Sequence, residues 1–526
     1  MQAMELQNIN DIDDATKHSR KELFRIGIAL LFIVGIMLYT ISQNTVDGSP
    51  STLLIIAAMI GGYMAMNIGA NDVANNVGPA VGSKALTMGG AILIAAIFEA
   101  SGALVAGGDV VSTIKKGIID PSGVMNGDTF VWMMMAALLA GAIWLNIATA
   151  LGAPVSTTHS IVGGVLGAGI AAGGMDIANW SKMGAIAASW VISPMLGGLI
   201  AAAFLYMIKR FITYRADMLG AARKMVPIFV AVMVWAFSTY LILKGLKKIW
   251  KVDFLTAGGT GLVIAVILYF VVRPLVAKAA VKLTNDKESV NSLFTIPLIF
   301  SAALLSFAHG ANDVANAVGP LAAINEVITH GDVVSKAAIP LWVMMIGAIG
   351  IAIGLALYGP KLIKTVGSEI TELNKMRAFC VAMAASITVI IASQLGLPVS
   401  STHIAVGGIF GVGFLREYLK ATYIEMVAEI KHHHESDNPE EVEAFLLAFR
   451  KASLNKKRGM LQELKMKSAK AHLTKKERKQ LKRVYKTELV KRSHLYKIAA
   501  AWVITVPFSG LMAALLFFMI RGMMMP

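Results

Sequence analysis

Seven residues occur twice in this chain without a change. They are Gly69-Ala70-Asn71-Asp72-Val73-Ala74-Asn75 and Gly310-Ala311-Asn312-Asp313-Val314-Ala315-Asn316. Each copy follows an apolar run of membrane length, so each sets an Asp at bilayer depth. An ionised group there is expensive and marks an ion or substrate path. A chain that keeps the same costly word twice points to a duplicated membrane unit.

Composition supports this. Of 526 residues, 56% are hydrophobic and 15% charged, with mean hydropathy +0.66. A soluble domain of this length carries more charge. The net charge of +16 does not point to nucleic acid, because the basic excess falls in one late loop and beside apolar segments. The single cysteine, Cys380, excludes an intramolecular disulfide framework.

Thirteen apolar runs approach or exceed the length needed to cross about 30 Å of hydrocarbon. They lie near 24–42, 52–68, 87–107, 130–153, 159–174, 183–208, 226–244, 255–273, 294–309, 337–358, 377–395, 403–415 and 498–520. The first follows a polar, partly acidic tail and Lys17, Arg20, Lys21 and Arg25, with no small-residue cleavage site after it. It reads as a spanning helix and not as a signal peptide. The fold class expected is an all-α polytopic membrane protein.

Orientation follows from basic residues in the loops. Lys and Arg outnumber Asp and Glu by roughly two to one between Arg416 and Lys497, which puts that loop in the cytoplasm. Counting back places the basic loops 361–377, 273–287 and 209–224, and the amino terminus, on the same side. Lys115-Lys116 and 244–251 run against the rule. Within the long loop, Leu461–Leu489 mixes Lys, Glu and Leu at helical spacing, as a solvated charged helix does. The run His432-His433-His434 lacks the Cys or acidic partners of a metal site.

The duplication extends beyond the first word. Leu151-Gly152-Ala153-Pro154-Val155-Ser156-Thr157-Thr158-His159 is echoed by Leu395-Gly396-Leu397-Pro398-Val399-Ser400-Ser401-Thr402-His403, and Trp190-Val191-Ile192-Ser193 by Trp502-Val503-Ile504-Thr505. The units expected are a tail 1–23, an extra helix 24–42, a first repeat 52–208, a connecting segment 209–293 with two spans, and a second repeat 294–415. A basic loop 416–497 and a closing helix 498–520 complete the second repeat. The loop count sets the two Asp words at opposite faces. Inverted repeats with interrupted helices point to the midplane site of a secondary transporter.

The residues suggest what that site holds. Asp72 and Asn75, three apart, share a helix face, as do Asp313 and Asn316. Gly69 and Gly78-Pro79 favour local unwinding, which would free carbonyls. Carboxylate, amide and carbonyl oxygens suit a small hard cation, and the candidates are Asn71, Asp72, Asn75, Asn312, Asp313 and Asn316. No cation lies within either word; Lys84 and Lys336 are the nearest in sequence. The Pro-Val-Ser-Ser/Thr-Thr-His words read as helix starts. A helix N-terminus with added hydroxyls is an anion site, and two could hold a tetrahedral oxyanion from both sides. Ser156, Thr157, Thr158, Ser400, Ser401 and Thr402 are the candidates, with Asp72 and Asp313 beside the anion; the bland alternative is ordinary capping. Cations at the Asp words would screen the anion from the carboxylates, which couples the two ligands. Glu99 is a further intramembrane acid, read either as a cation or proton group or as a partner of Lys115 or Lys116. His159 and His403 could shuttle protons or fix the hairpins.

At these residues the sequence resembles the inorganic phosphate transporter family of sodium- or proton-coupled permeases. The paired Gly-Ala-Asn-Asp and Pro-x-Ser-x-Thr-His words carry the resemblance, which covers both repeats. It implies re-entrant hairpins, a homodimer, and binding of cation and phosphate by the words just named. The full Gly-Ala-Asn-Asp-Val-Ala-Asn spelling is more similar to the sodium-coupled branch. Two departures stand out: Asn76 where the second repeat has Ala317, and the long loop placed before the last span. The function expected is phosphate import by cation symport, with Na+ as coupling ion and H+ the alternative, in the cell membrane. The other readings are a sulfate permease of the same fold and an oxyanion channel or sensor. No activated nucleophile and no Walker-type loop is present, so neither an enzyme nor an ATP-driven pump is expected.

Overall fold

The computed structural model describes residues 2–42, 51–120, 126–245, 252–331, 339–368, 372–433, 444–445, 447–449, 459–460 and 492–524. Lys336 and the charged stretch 461–489 therefore lie outside the described residues. Those described form helices, with one isolated antiparallel bridge between Ile119 and Ala178.

The first repeat comprises α2 (Thr52–Asn71), α3 (Ala74–Gly82), α4 (Met88–Ala106), α5 (Gly108–Lys116), α6 (Gly127–Leu151), α7 (Thr157–Gly173) and α8 (Trp180–Ile208), preceded by α1 (Gln2–Ile41). Helices α9 (Met218–Tyr240), α10 (Phe254–Ala279) and the short α11 (Lys287–Leu293) connect the repeats. The second comprises α12 (Thr295–Asp313), α13 (Ala315–His330), α14 (Leu341–Ser368), α15 (Lys375–Gln394), α16 (Ser401–His433) and α17 (Arg492–Met524). Among the described residues, eleven helical stretches are long and apolar enough to span a membrane. Helices α7 and α16 are not among them; they are the second arms of the hairpins α6–α7 and α15–α16.

Polar caps set many of the helix starts. Ser51, Thr87, Asn126, Asn179, Asp253 and Asn374 each accept a backbone N–H from the first turn, satisfying donors the helix leaves open. The hairpin tips turn at matched glycines, Gly152 at φ 72° and Gly396 at φ 64°, the left-handed region that glycine adopts without penalty.

The two repeats interlock. Helix α2 packs along α14 of the other repeat, and α12 along α4; α7 packs on α17, and α16 on α8. Glycines make these contacts close, because small residues let backbones approach in an apolar solvent. A Cβ on Gly69 would meet Ile351 O at 1.9 Å, and one on Gly310 would meet Glu99 O at 2.1 Å. The pairs Gly354 with Met66 O (1.8 Å) and Gly102 with Phe307 O (2.0 Å) repeat the pattern.

These contacts correct one expectation. Gly69 serves helix packing and not unwinding, while Pro79 and Pro320 lie inside α3 and α13. The break falls at Asp72–Val73 and at Val314, where one turn tightens: Asn75 N donates to Asp72 O at 3.0 Å and Ala317 N to Val314 O at 3.2 Å. A helix can be interrupted this narrowly because neighbouring side chains satisfy the freed groups.

Candidate functional site

The breaks at Asp72 and Asp313 and the starts of α7 and α16 meet in one buried polar cluster. Asn71, Asp72, Asn75, Asn312, Asp313 and Asn316 are each no more than 1% exposed, as are Ser156, Thr157, Thr158, Ser400, Ser401 and Thr402. Twelve polar side chains shut away from solvent need internal partners, and most have them.

Asp72 is held by hydroxyls from both repeats. Thr157 Oγ1 donates to its Oδ2 at 2.6 Å, and Thr402 Oγ1 to its Oδ1 at 2.8 Å. Asp313 receives Ser401 Oγ on Oδ2 at 3.0 Å. The amides tie the helix breaks to the hairpins. Asn71 Nδ2 donates to Thr149 Oγ1 (2.9 Å) and Ala153 O (3.2 Å), and Val155 N donates to Asn71 Oδ1 (3.1 Å). Its counterpart Asn312 places its amide 3.0 Å from Ser393 Oγ. Asn75 Nδ2 donates to Thr402 Oγ1 (2.8 Å), and Asn316 Nδ2 to Thr157 Oγ1 (3.0 Å) and Thr158 Oγ1 (3.2 Å).

Two acceptors are left over. Asn75 Oδ1 and Asn316 Oδ1 are buried without a hydrogen-bond partner. They occupy equivalent positions, each three residues after the Asp of its word. A buried carbonyl oxygen without a donor is costly unless something electropositive meets it.

The six hydroxyls divide by role. Ser156 and Ser400 cap their helices, accepting His159 N at 3.1 Å and His403 N at 3.2 Å. Thr157, Ser401 and Thr402 turn to the carboxylates, and Thr158 donates to Val399 O at 2.9 Å. The cluster therefore brings together every Asn, Asp, Ser and Thr singled out by sequence, with the two caps at its edge.

His159 and His403 sit differently. Their rings pack edge to face at 4.4 Å between centroids, His159 against Trp190 (3.8 Å) and His403 against Trp502 (3.6 Å). They form an aromatic stack behind the helix starts, and the ring nitrogens make no hydrogen bond to the carboxylates.

Glu99 does not pair with Lys115, and the side chain of Lys116 lies outside the described residues. Lys115 forms its buried ion pair with Glu326. Glu99 Oε2 lies 2.6 Å from His309 Nδ1, and Asn76 Nδ2 donates to Glu99 Oε1 at 2.7 Å. His309 Nε2 lies 2.9 Å from Asp313 Oδ2, off the line of a straight N–H bond. One oxygen or nitrogen from each of Asp72, His309 and Asp313 falls within 4.8 Å of the others. Sequence reasoning missed His309. Its signal was present, since it stands one helical turn before Asp313 on the same face, where the first repeat has Ile68.

The chain matches the family model described as "Phosphate transporter family" over residues 68–513. A provisionally named phosphate permease of Helicobacter pylori (strain J99) is 54% identical over 524 residues, covering 98% of each chain. A protein of the same provisional description from Pyrococcus furiosus is 39% identical over 379 residues, covering 72% of this chain and 91% of its own. Among solved structures, a protein described as "The sodium-dependent phosphate transporter" superposes with a TM-score of 0.73 at 31% identity, covering 90% of this chain and all of that one.

Proposed function

Because the chain belongs to the phosphate transporter family and is a multi-pass transporter, not an enzyme, we propose that it imports inorganic phosphate by symport with Na+. The observation that carries the cation half is the pair of unpartnered oxygens, Asn75 Oδ1 and Asn316 Oδ1, each three residues after an Asp at a helix break. Carboxylate, amide and hydroxyl oxygens are the ligands a small hard cation takes. The sodium-dependent structural relative supports Na+ over H+.

The anion half rests on α7 and α16. Their first turns meet at the cluster, carrying Thr157, Thr158, Ser401 and Thr402. Open N–H groups and the positive ends of two helix dipoles favour an oxyanion there. Phosphate can donate a proton to a carboxylate acceptor, and sulfate at neutral pH cannot. Asp72 and Asp313 therefore favour phosphate. Cations bound at the carboxylates remove the repulsion that the anion would otherwise meet, so each ligand raises the affinity for the other.

Transport requires the buried cluster to open to each side in turn. Each hairpin tip is latched from outside its own arms. Lys361 Nζ on α14 donates to Ala150 O at the first tip, and Thr113 Oγ1 donates to Gly396 O at the second, both at 2.7 Å. In the inverted arrangement, with the amino terminus and loop 416–497 cytoplasmic, the two tips face opposite sides. Breaking one latch while the other holds gives alternating access in the cell membrane. We take the assembly to be a homodimer, as the family resemblance implies.

The test is uptake of labelled phosphate into proteoliposomes under an imposed sodium or proton gradient, with unlabelled sulfate as competitor. Sodium-driven uptake that sulfate leaves alone is expected. Uptake driven by protons alone would overturn Na+ as the coupling ion. Full competition by sulfate would move the substrate to that anion, and equilibration without any gradient dependence would make the protein a channel.

A further inference from the structure

The two halves of the site are built on one plan, so each residue has a counterpart, and the places where the plan breaks are informative. The packing contacts fix the equivalence. Gly310 lies against Glu99 O as Gly69 lies against Ile351 O, which equates Glu99 with Ile351. The duplicated words equate His309 with Ile68 and Asn76 with Ala317. The same three positions thus hold Asn, Glu and His in one half, linked by hydrogen bonds, and Ala, Ile and Ile in the other.

A second break lies across the site from the first. Thr402 donates to Asp72 Oδ1, but its counterpart Thr158 donates to Val399 O instead of to Asp313. Asp313 instead has His309 Nε2 2.9 Å from Oδ2, the oxygen that Ser401 also donates to, in an ionic contact without hydrogen-bond geometry. Where Asp72 takes a hydroxyl from the other repeat, Asp313 has an imidazole of its own helix in close ionic contact.

We infer that His309, buttressed by Glu99 and Asn76, is the positioning residue for Asp313, and that the two cation half-sites are inequivalent. A hydroxyl that holds a carboxylate can still turn an oxygen lone pair to a cation, whereas a ring N–H cannot. The Asp72 half therefore offers the fuller oxygen shell. The Asp313 half depends on a carboxylate aimed from behind by a rigid ring whose far nitrogen is fixed by Glu99. The pairing is expensive: a carboxylate and an imidazole, both fully buried, replace a pair of isoleucines that fill the same space in the other half. The inference rests on the reading of Asp72 and Asp313 as cation ligands.

The test is equilibrium binding of 32P-labelled inorganic phosphate to the purified full chain in detergent, with sodium titrated against choline. A wild-type protein whose phosphate binding ignores sodium would sink the symport reading itself, before any variant is compared. The informative variant is the double Glu99→Ile/His309→Ile, which copies a pair that the other half already packs. Half-saturating sodium should rise about tenfold or more on loss of the close imidazole–carboxylate contact, with phosphate capacity at saturating sodium retained. Half-saturating sodium within about twofold of wild type, less than 0.5 kcal/mol, would overturn the role given to His309.

The milder Asn76→Ala carries the test if the double variant does not fold. It removes the donor on Glu99 Oε1 and introduces the counterpart residue. It should shift half-saturating sodium in the same direction by about threefold, and an unchanged sodium dependence there would equally count against the inference. A purely structural role would lower melting temperature and capacity without moving the sodium midpoint.

Discussion

Thr402 and Asp72 are 330 positions apart in sequence and 2.8 Å apart in space, hydroxyl to carboxylate. That one bond joins the helix start of the second repeat to the helix break of the first, so a carboxylate of one repeat is shaped by the hairpin of the other. Coupling between cation and anion needs such a shared group, because each ligand must change the energy of the other's site. Thr402→Val should raise half-saturating sodium about tenfold, the range for a hydrogen bond to a charged partner. Thr158→Val should shift it less, since Thr158 donates to Val399 O. Sodium titration of phosphate uptake in the two variants checks the asymmetry.

Removing the charge is the harsher experiment. Asp72→Asn and Asp313→Asn keep the side-chain shape but take away the group that a cation neutralises. Each should abolish sodium-driven uptake while the protein still purifies as a folded species. Coupled uptake at the wild-type level in both would remove these residues from the cation site.

The glycines at the helix crossings make a prediction about folding alone. Gly69→Ala and Gly354→Ala would drive a methyl to within 2 Å of the Ile351 and Met66 carbonyl oxygens, so α2 and α14 must separate. Overpacking against backbone costs about 1–3 kcal/mol or more and should lower the melting temperature in detergent by several degrees. Gly89→Ala is the control. It lies in the first turn of α4 with nothing within 4 Å of its Cβ, and alanine there should be neutral or mildly stabilising.

The duplicated words showed most of this in advance, because a membrane span writes its polar exceptions openly. All twelve Asn, Asp, Ser and Thr candidates converge, and among the described residues each apolar run falls largely on a helix. Contacts between repeats were not legible. Thr158 and Thr402 hold the same place in nearly identical words, and only the folded chain shows one facing a carbonyl and the other a carboxylate. Glu99 was visible as an acid in an apolar run, but its partner lies 210 positions away on a helix of the other repeat. Gly69 was misread for a related reason. Gly69, taken together with Gly78-Pro79, suggests an unwound backbone, and only the position of Ile351 O shows that it marks a close crossing.

Lys115 and Glu326 pose the last question, since they form a buried ion pair outside the cluster. The side chains are 8% and 2% exposed, on α5 and α13. Two residues before Lys115, Thr113 donates to the tip carbonyl of Gly396. The pair therefore anchors the helix that latches the second hairpin. Breaking a buried pair strands one charge and costs about 3–5 kcal/mol, whereas replacing both partners with apolar groups of similar volume is often neutral. Glu326→Gln alone should lower the melting temperature clearly. The double variant Lys115→Met/Glu326→Leu should recover most of that loss. If the double variant is stable but phosphate uptake is slowed, the pair matters for the latch and not for stability. If Glu326→Gln melts as the wild type does, Lys115 is compensated by other groups and the anchor assigned to this pair fails.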